Sequence, residues 1–86
     1  MYTVYSKPAC LFCDQAKSLL RSKDLKYTEI ILDVGQQKVH GQKYISRDEM
    51  IETIPTARTM PQIMKEDTSS AVHIGGFLEL KRYLHA

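Results

Sequence analysis

An α/β fold is expected, with a four-stranded mixed sheet flanked by three helices in the order β-α-β-α-β-β-α. Three observations predict it. Residues 2–5, the pattern from Leu11 to about Asp24, and residues 27–32 read as strand, helix and strand, which calls for a right-handed parallel crossover. Residues 62–65 and 71–74 are two short strands around the polar stretch 66–70, as in a hairpin. A last helical pattern starts at about Phe77, after Gly75-Gly76.

Each element has a local reason. Tyr2-Thr3-Val4-Tyr5 is β-branched and aromatic. Lys7-Pro8-Ala9 breaks it, because proline cannot donate to a ladder and restricts the residue before it. Cys13, Ala16 and Leu20 then recur at helical spacing, with Asp14, Gln15, Lys17, Ser18 and Arg21 on the opposite face. Tyr-Thr-Glu-Ile-Ile-Leu forms the second strand. Residues 33–44, polar and without a period, are expected to be a long loop with room for a turn of helix. Ser46-Arg47-Asp48-Glu49 has the spacing of a capping box, so a second helix should run to about Thr53 and stop before Pro55. In the last helix Phe77, Leu80 and Leu84 share the face to be buried.

Composition bounds the function. At 86 residues there is room for one domain, over 1–86, and one modest core. Charged residues at 26% and hydrophobic residues at 43% describe an ordinary globular chain. A net charge of +2 without a dense Lys/Arg block argues against a nucleic-acid partner. No apolar run approaches the ~18 residues of a membrane span, so no membrane partner is expected. The first strand begins almost at once, so no signal peptide is expected. Two cysteines cannot frame a small secreted disulfide protein. A monomer in a reducing cytoplasm is the expectation.

In that setting Cys10 and Cys13 read as a redox dithiol. Cys10 at a helix N-terminus would have its thiolate stabilised by free N–H groups and the helix dipole, making it the nucleophile. Cys13, one turn on, lies within disulfide reach and is the resolving thiol. The bland alternatives are two buried structural thiols or half of a zinc site. His40, His73 and His85 lack metal-ligand spacing with the cysteines, so no metal is expected. Lys7 is either a solvated lysine or a cation for the thiolate and an anionic substrate. Phe12 either packs locally or forms an apolar rim. Met60-Pro61 is either an edge device or a cis peptide leaving Met60 free to pair with an extended substrate, cis being the ~5–6% outcome for X–Pro bonds. Gly75-Gly76 is either a plain turn or a cradle for a carboxylate at a helix N-terminus. Glu49, Glu52, Glu79 and the other acids read as solvated helix faces. Tyr27, Tyr44 and Tyr83 read as packing residues.

Ser6-Lys7 ahead of Cys10-Leu11-Phe12-Cys13, then Arg58-Thr59-Met60-Pro61-Gln62-Ile63, then His73-Ile74-Gly75-Gly76-Phe77 leading into Leu80, together resemble a glutaredoxin of the small phage or bacterial dithiol kind. The resemblance spans nearly the whole chain, and the element order is that of a thioredoxin-like fold. It implies a cis Met60-Pro61 bond and reduction of protein disulfides and glutathione mixed disulfides, with glutathione as co-substrate. It implies a glutathione groove formed by Lys7, Cys10, Phe12, Thr59, Met60 and Pro61, with Gly75, Gly76, Phe77 and Leu78 opposite. Arg47 or Arg58 would hold the second glutathione carboxylate. Partners would be disulfide-bearing proteins such as ribonucleotide reductase. The chain departs from the family at Leu11-Phe12, where proline and tyrosine are common, and at Leu78-Glu79, where an acidic pair is common. Leu78 keeps open a thioredoxin-type donor recharged by a flavoprotein reductase. Leu11 keeps open an iron–sulfur carrier that uses Cys10 from two subunits and two glutathiones.

Overall fold

The computed structural model describes residues 1–85. In chain order the elements are β1 (Tyr2–Ser6), α1 (Leu11–Ser22), β2 (Tyr27–Leu32), β3 (Lys43–Ile45), α2 (Arg47–Thr53), β4 (Gln62–Glu66), β5 (Ala71–Gly75) and α3 (Phe77–His85). The strands form one sheet in the order β3-β2-β1-β4-β5. β1 lies at its centre and is buried along its length, parallel to β2 and antiparallel to β4. A strand with both faces covered shows a continuous apolar and small-polar run rather than alternation, which is what Tyr-Thr-Val-Tyr-Ser is.

The sheet has five strands, not the expected four. The added strand, β3, lies at the end of the stretch expected to be loop and pairs parallel with β2, Ile30 opposite Lys43 through Leu32 opposite Ile45. Three residues are too few to display a period, so pairing with β2 rather than local pattern makes this strand. The connection before it carries turns rather than helix. Asp33 accepts the Gly35 N–H at 3.0 Å, and the Tyr44 hydroxyl accepts the Val39 N–H at 2.8 Å.

Helix ends follow the sequence closely. α1 stops where Asp24 turns left-handed (φ 58°) and the Leu25 N–H reaches back to the Leu20 carbonyl at 3.0 Å. α2 begins at Ser46, whose hydroxyl oxygen accepts the Glu49 N–H at 3.1 Å and donates to the Glu49 carboxylate at 3.0 Å. It ends at Ile54, because Pro55 disfavours helical geometry in the residue before it.

Two hydrophobic clusters sit on opposite faces of the sheet. Tyr2, Val4 and Ile63 pack with Ala16 and Leu20 of α1 and with Leu80 of α3. Tyr5 and Leu32 pack with Met50 of α2 and Ile54 on the other face. Burying a side chain such as Leu20 or Leu80 contributes about 1.5–3 kcal/mol. This sandwich fixes the carboxyl end of β1, where the cysteines lie, against the start of β4. Among the described residues no helix is long and apolar enough to cross a membrane.

Candidate active site

The chain leaves β1 through an exposed turn, Lys7-Pro8-Ala9, in which Ala9 adopts a left-handed conformation (φ 53°). That geometry costs an alanine on the order of 1–2 kcal/mol and reverses the chain into α1. Cys10 is the N-cap. Its Sγ accepts the Cys13 N–H at 3.2 Å, and its carbonyl accepts the Asp14 N–H at 3.1 Å. The sulfur therefore takes the place of the Ser or Asp oxygen usual at this position, at the positive end of the helix dipole. Cys10 and Cys13 form a disulfide with Cα atoms 5.2 Å apart. Cys13 is 1% exposed and Cys10 8%, so an incoming group meets Cys10 first.

Facing this sulfur is the start of β4. The Met60-Pro61 bond is cis, and the Met60 carbonyl oxygen lies 3.7 Å from the Cys10 sulfur. In the dithiol form the Cys10 S–H can donate to that oxygen. Of the two sequence readings of this proline, the cis peptide beside the disulfide is the one found. Among the described residues the Met60 N–H has no intramolecular partner.

A groove of about 260 Å³ opens beside the disulfide, lined by Phe12, Thr59, Met60, Pro61, Gly76, Phe77, Leu78 and Glu79. Phe12 both packs and forms a rim: its ring stacks on Phe77 with centroids 6.2 Å apart, yet it is 54% exposed. Leu78 is 61% exposed at the outer edge. Lys7 does not join this group. It lies across the Thr59-Met60 segment in a second groove of about 270 Å³, with Arg47 and Arg58.

The helix end at Gly75-Gly76 holds the main departure from the sequence reading. Glu79 is not a merely solvated acid. Its carboxylate accepts the Gly76 N–H at 2.8 Å, the reach-back half of a capping box with glycine as the N-cap. It lies so close over Gly75 (φ 119°) that a Cβ there would sit 2.9 Å from the Glu79 Cγ. One N–H of the expected carboxylate cradle is thus already occupied. The signal was available in sequence, as an acid three residues after a glycine at a helix start.

Sequence reasoning also passed over Glu29. Grouped with the other acids as a solvated helix face, it lies instead in β2, where the parallel pairing with β1 carries it under α1. There its carboxylate accepts from Lys17 at 2.8 Å and from the Ser6 hydroxyl at 2.7 Å. Burial pushes the Glu29 carboxyl up, but these two hydrogen bonds and the nearby charges of Lys17 and Arg21 outweigh it and leave it below its ordinary range. Burial pulls Lys17 down, and the bond to Glu29 with the charges of Glu29 and Asp14 brings it above its ordinary value. Their side chains are 18% and 20% exposed, so this pair fastens α1 to β2 at a partly dry site. Among the described residues no three His, Cys, Asp or Glu side chains gather as a metal site.

The glutaredoxin family model matches residues 2–69. Glutaredoxin 3 of Escherichia coli K12 is 36% identical over 73 residues, 85% of this chain and 72% of that protein. The hybrid peroxiredoxin hyPrx5 of Haemophilus influenzae is 32% identical over 81 residues, 94% of this chain but only 28% of the relative's length. A solved structure of glutaredoxin 1 from Francisella tularensis, complexed with cacodylate, covers 98% of this chain and 91% of its own with a TM-score of 0.65 at 22% identity. That likeness is one of fold, and the fold is thioredoxin-like. With the dithiol at a helix start and these sequence matches, the chain belongs to the glutaredoxin family of thiol–disulfide oxidoreductases.

Proposed function

We propose that this chain, acting as one domain and a monomer in a reducing cytoplasm, reduces protein disulfides and glutathione mixed disulfides and is recharged by glutathione. The observation that carries the reading is the capped sulfur of Cys10, which lies 3.7 Å from the Met60 carbonyl at the head of an open groove. Cys10, as thiolate, attacks one sulfur of the target disulfide. A mixed disulfide forms, and the other target sulfur leaves as a thiolate and takes a proton. Cys13 then attacks the Cys10 sulfur, the Cys10–Cys13 disulfide closes, and the second target thiol departs. Two electrons have passed to the target. Two glutathiones return them and leave as glutathione disulfide.

In this reading the cysteine sulfur of glutathione meets Cys10 while its backbone lies along Thr59, Met60 and Pro61, between Phe12 on one side and Phe77 on the other. Lys7 with Arg47 or Arg58 takes one carboxylate. Gly75, Gly76 and Leu78 border the other end. Disulfide-bearing enzymes such as ribonucleotide reductase would be the partners. The test is turnover of a glutathione mixed disulfide of a small thiol, coupled to glutathione reductase. Steady NADPH consumption that depends on glutathione is expected. None, alongside normal oxidation of the dithiol protein by small disulfides, would remove glutathione as the reductant.

One observation favours a second reading, a donor recharged by a flavoprotein disulfide reductase. Leu78 offers no charge to the amino end of glutathione, and the Gly76 N–H is already bonded to Glu79. Replacing glutathione and its reductase by thioredoxin reductase in the same assay separates the two.

A further inference from the structure

We propose that the two grooves together select a disulfide-bearing polypeptide, with acidic residues on one side of its cysteines and a large apolar residue on the other. This rests on the disulfide-reductase reading above. The grooves meet at Thr59-Met60, beside Cys10, and differ in chemistry. The first presents Phe12, Phe77 and the exposed Leu78. Its one carboxylate, Glu79, is bonded to the start of its own helix. The second carries three exposed cations, Lys7, Arg47 and Arg58, and no carboxylate lines it. Among the described residues none of the three forms an ion pair. Val34 and Ile51, 54% and 48% exposed, also line this groove.

Three unpaired cations exceed what a single glutathione carboxylate would neutralise, and the one carboxylate of the apolar groove, Glu79, already accepts the Gly76 N–H. A polypeptide suits both halves. Its acidic side chains meet the cations, its apolar side chain fills the groove by the two phenylalanines, and its backbone can pair with the free N–H of Met60. The chemistry is unchanged: the protein dithiol gives two electrons to the polypeptide disulfide and ends as the Cys10–Cys13 disulfide.

The experiment is single-turnover oxidation of the dithiol protein, reduced with dithiothreitol and desalted, so that no recharging system enters. The oxidants are synthetic peptides of equal length with an internal Cys-x-x-Cys disulfide. One flank is Glu, Ser or Lys, the other is Leu or Phe, and both flank orders are made. In the favoured order the Glu peptide should react about tenfold faster than the Lys peptide at low salt, the advantage shrinking as salt screens the grooves. In an Arg47→Gln/Arg58→Gln protein the ratio should collapse towards one. Equal rates for Glu and Lys peptides in both orders would overturn the proposal, as would a ratio untouched by the double substitution. Failure of every peptide, with bis(2-hydroxyethyl) disulfide still oxidising the protein, overturns the proposal but leaves the reductase reading standing. Failure of that small disulfide too would end both.

Discussion

Two helices start beside the same groove and are capped in different ways. At α1 the capping acceptor is the sulfur of Cys10, the nucleophile of the proposed reaction. At α3 it is the carboxylate of Glu79, already bonded to the Gly76 N–H. Both satisfy an orphan donor and both place negative charge, or incipient negative charge, at the positive end of a dipole. They differ in when that charge arises. The Glu79 carboxylate caps its helix without any redox event, so that end is already occupied. Cys10 acquires its charge only on reduction, and a helix N-terminus favours a thiolate placed there over the neutral thiol. A helix N-terminus is thus a structural joint or a chemical device according to what caps it.

The sharpest way to break the comparison is at the first cap. Cys10→Ser keeps a capping oxygen, so the fold should survive by circular dichroism while disulfide reduction is lost. Cys13→Ser should keep partial turnover of glutathione mixed disulfides, where no resolving thiol is needed, and lose turnover of protein disulfides. Activity in Cys10→Ser would overthrow the assignment of the nucleophile.

A smaller effect comes from the tie that holds α1 in place. Glu29→Gln should cost about 1–2 kcal/mol in urea unfolding, because Lys17 keeps its charge beside a neutral partner at a partly buried site. The pH dependence has a definite sign. A carboxyl held lower in the folded state contributes stability above ~pH 4.3, the range of an unfolded glutamate, and loses it as pH falls through the depressed folded value. The difference between native and Glu29→Gln proteins should therefore shrink on acidification. A constant gap from pH 7 to pH 3 would contradict the pairing.

The smallest effect is expected at the second cap. Glu79→Ala should lower stability by about 0.5–1 kcal/mol and, by freeing the Gly76 N–H, reduce the KM for glutathione mixed disulfides a few-fold. A raised KM would mean that Glu79 holds substrate rather than closing the helix.

Much of this was legible in the sequence, for identifiable reasons. Ser46 and Glu49 announce α2 because a capping box is a local code. Leu20 and Leu80 announce the core because helical period is visible over a few turns. The dithiol announces itself by position, after a strand and before a helical pattern. What escaped depends on contacts distant in sequence. Lys43-Tyr44-Ile45 is a strand only because β2 is beside it. Glu29 is a buried partner only because the parallel register carries it beneath Lys17. The meeting of Phe12 with Phe77, 65 positions apart in sequence, needs the α1 and α3 ends to converge. The mixed character of the two grooves likewise exists only once residues from several segments are assembled around Thr59-Met60.

The sulfur cap also makes folding and electron transfer two sides of one thermodynamic cycle. Any free energy that the N-terminus of α1 gives to the thiolate beyond what it gives to the disulfide sulfur must appear equally as resistance of the dithiol form to unfolding and as a displacement of the couple towards oxidising values. For a two-electron couple that displacement is about 30 mV for each 1.4 kcal/mol. Weakening the first turn of α1, even at a residue that touches no substrate, would make the protein a stronger reductant, so selection on helix stability here is also selection on redox poise.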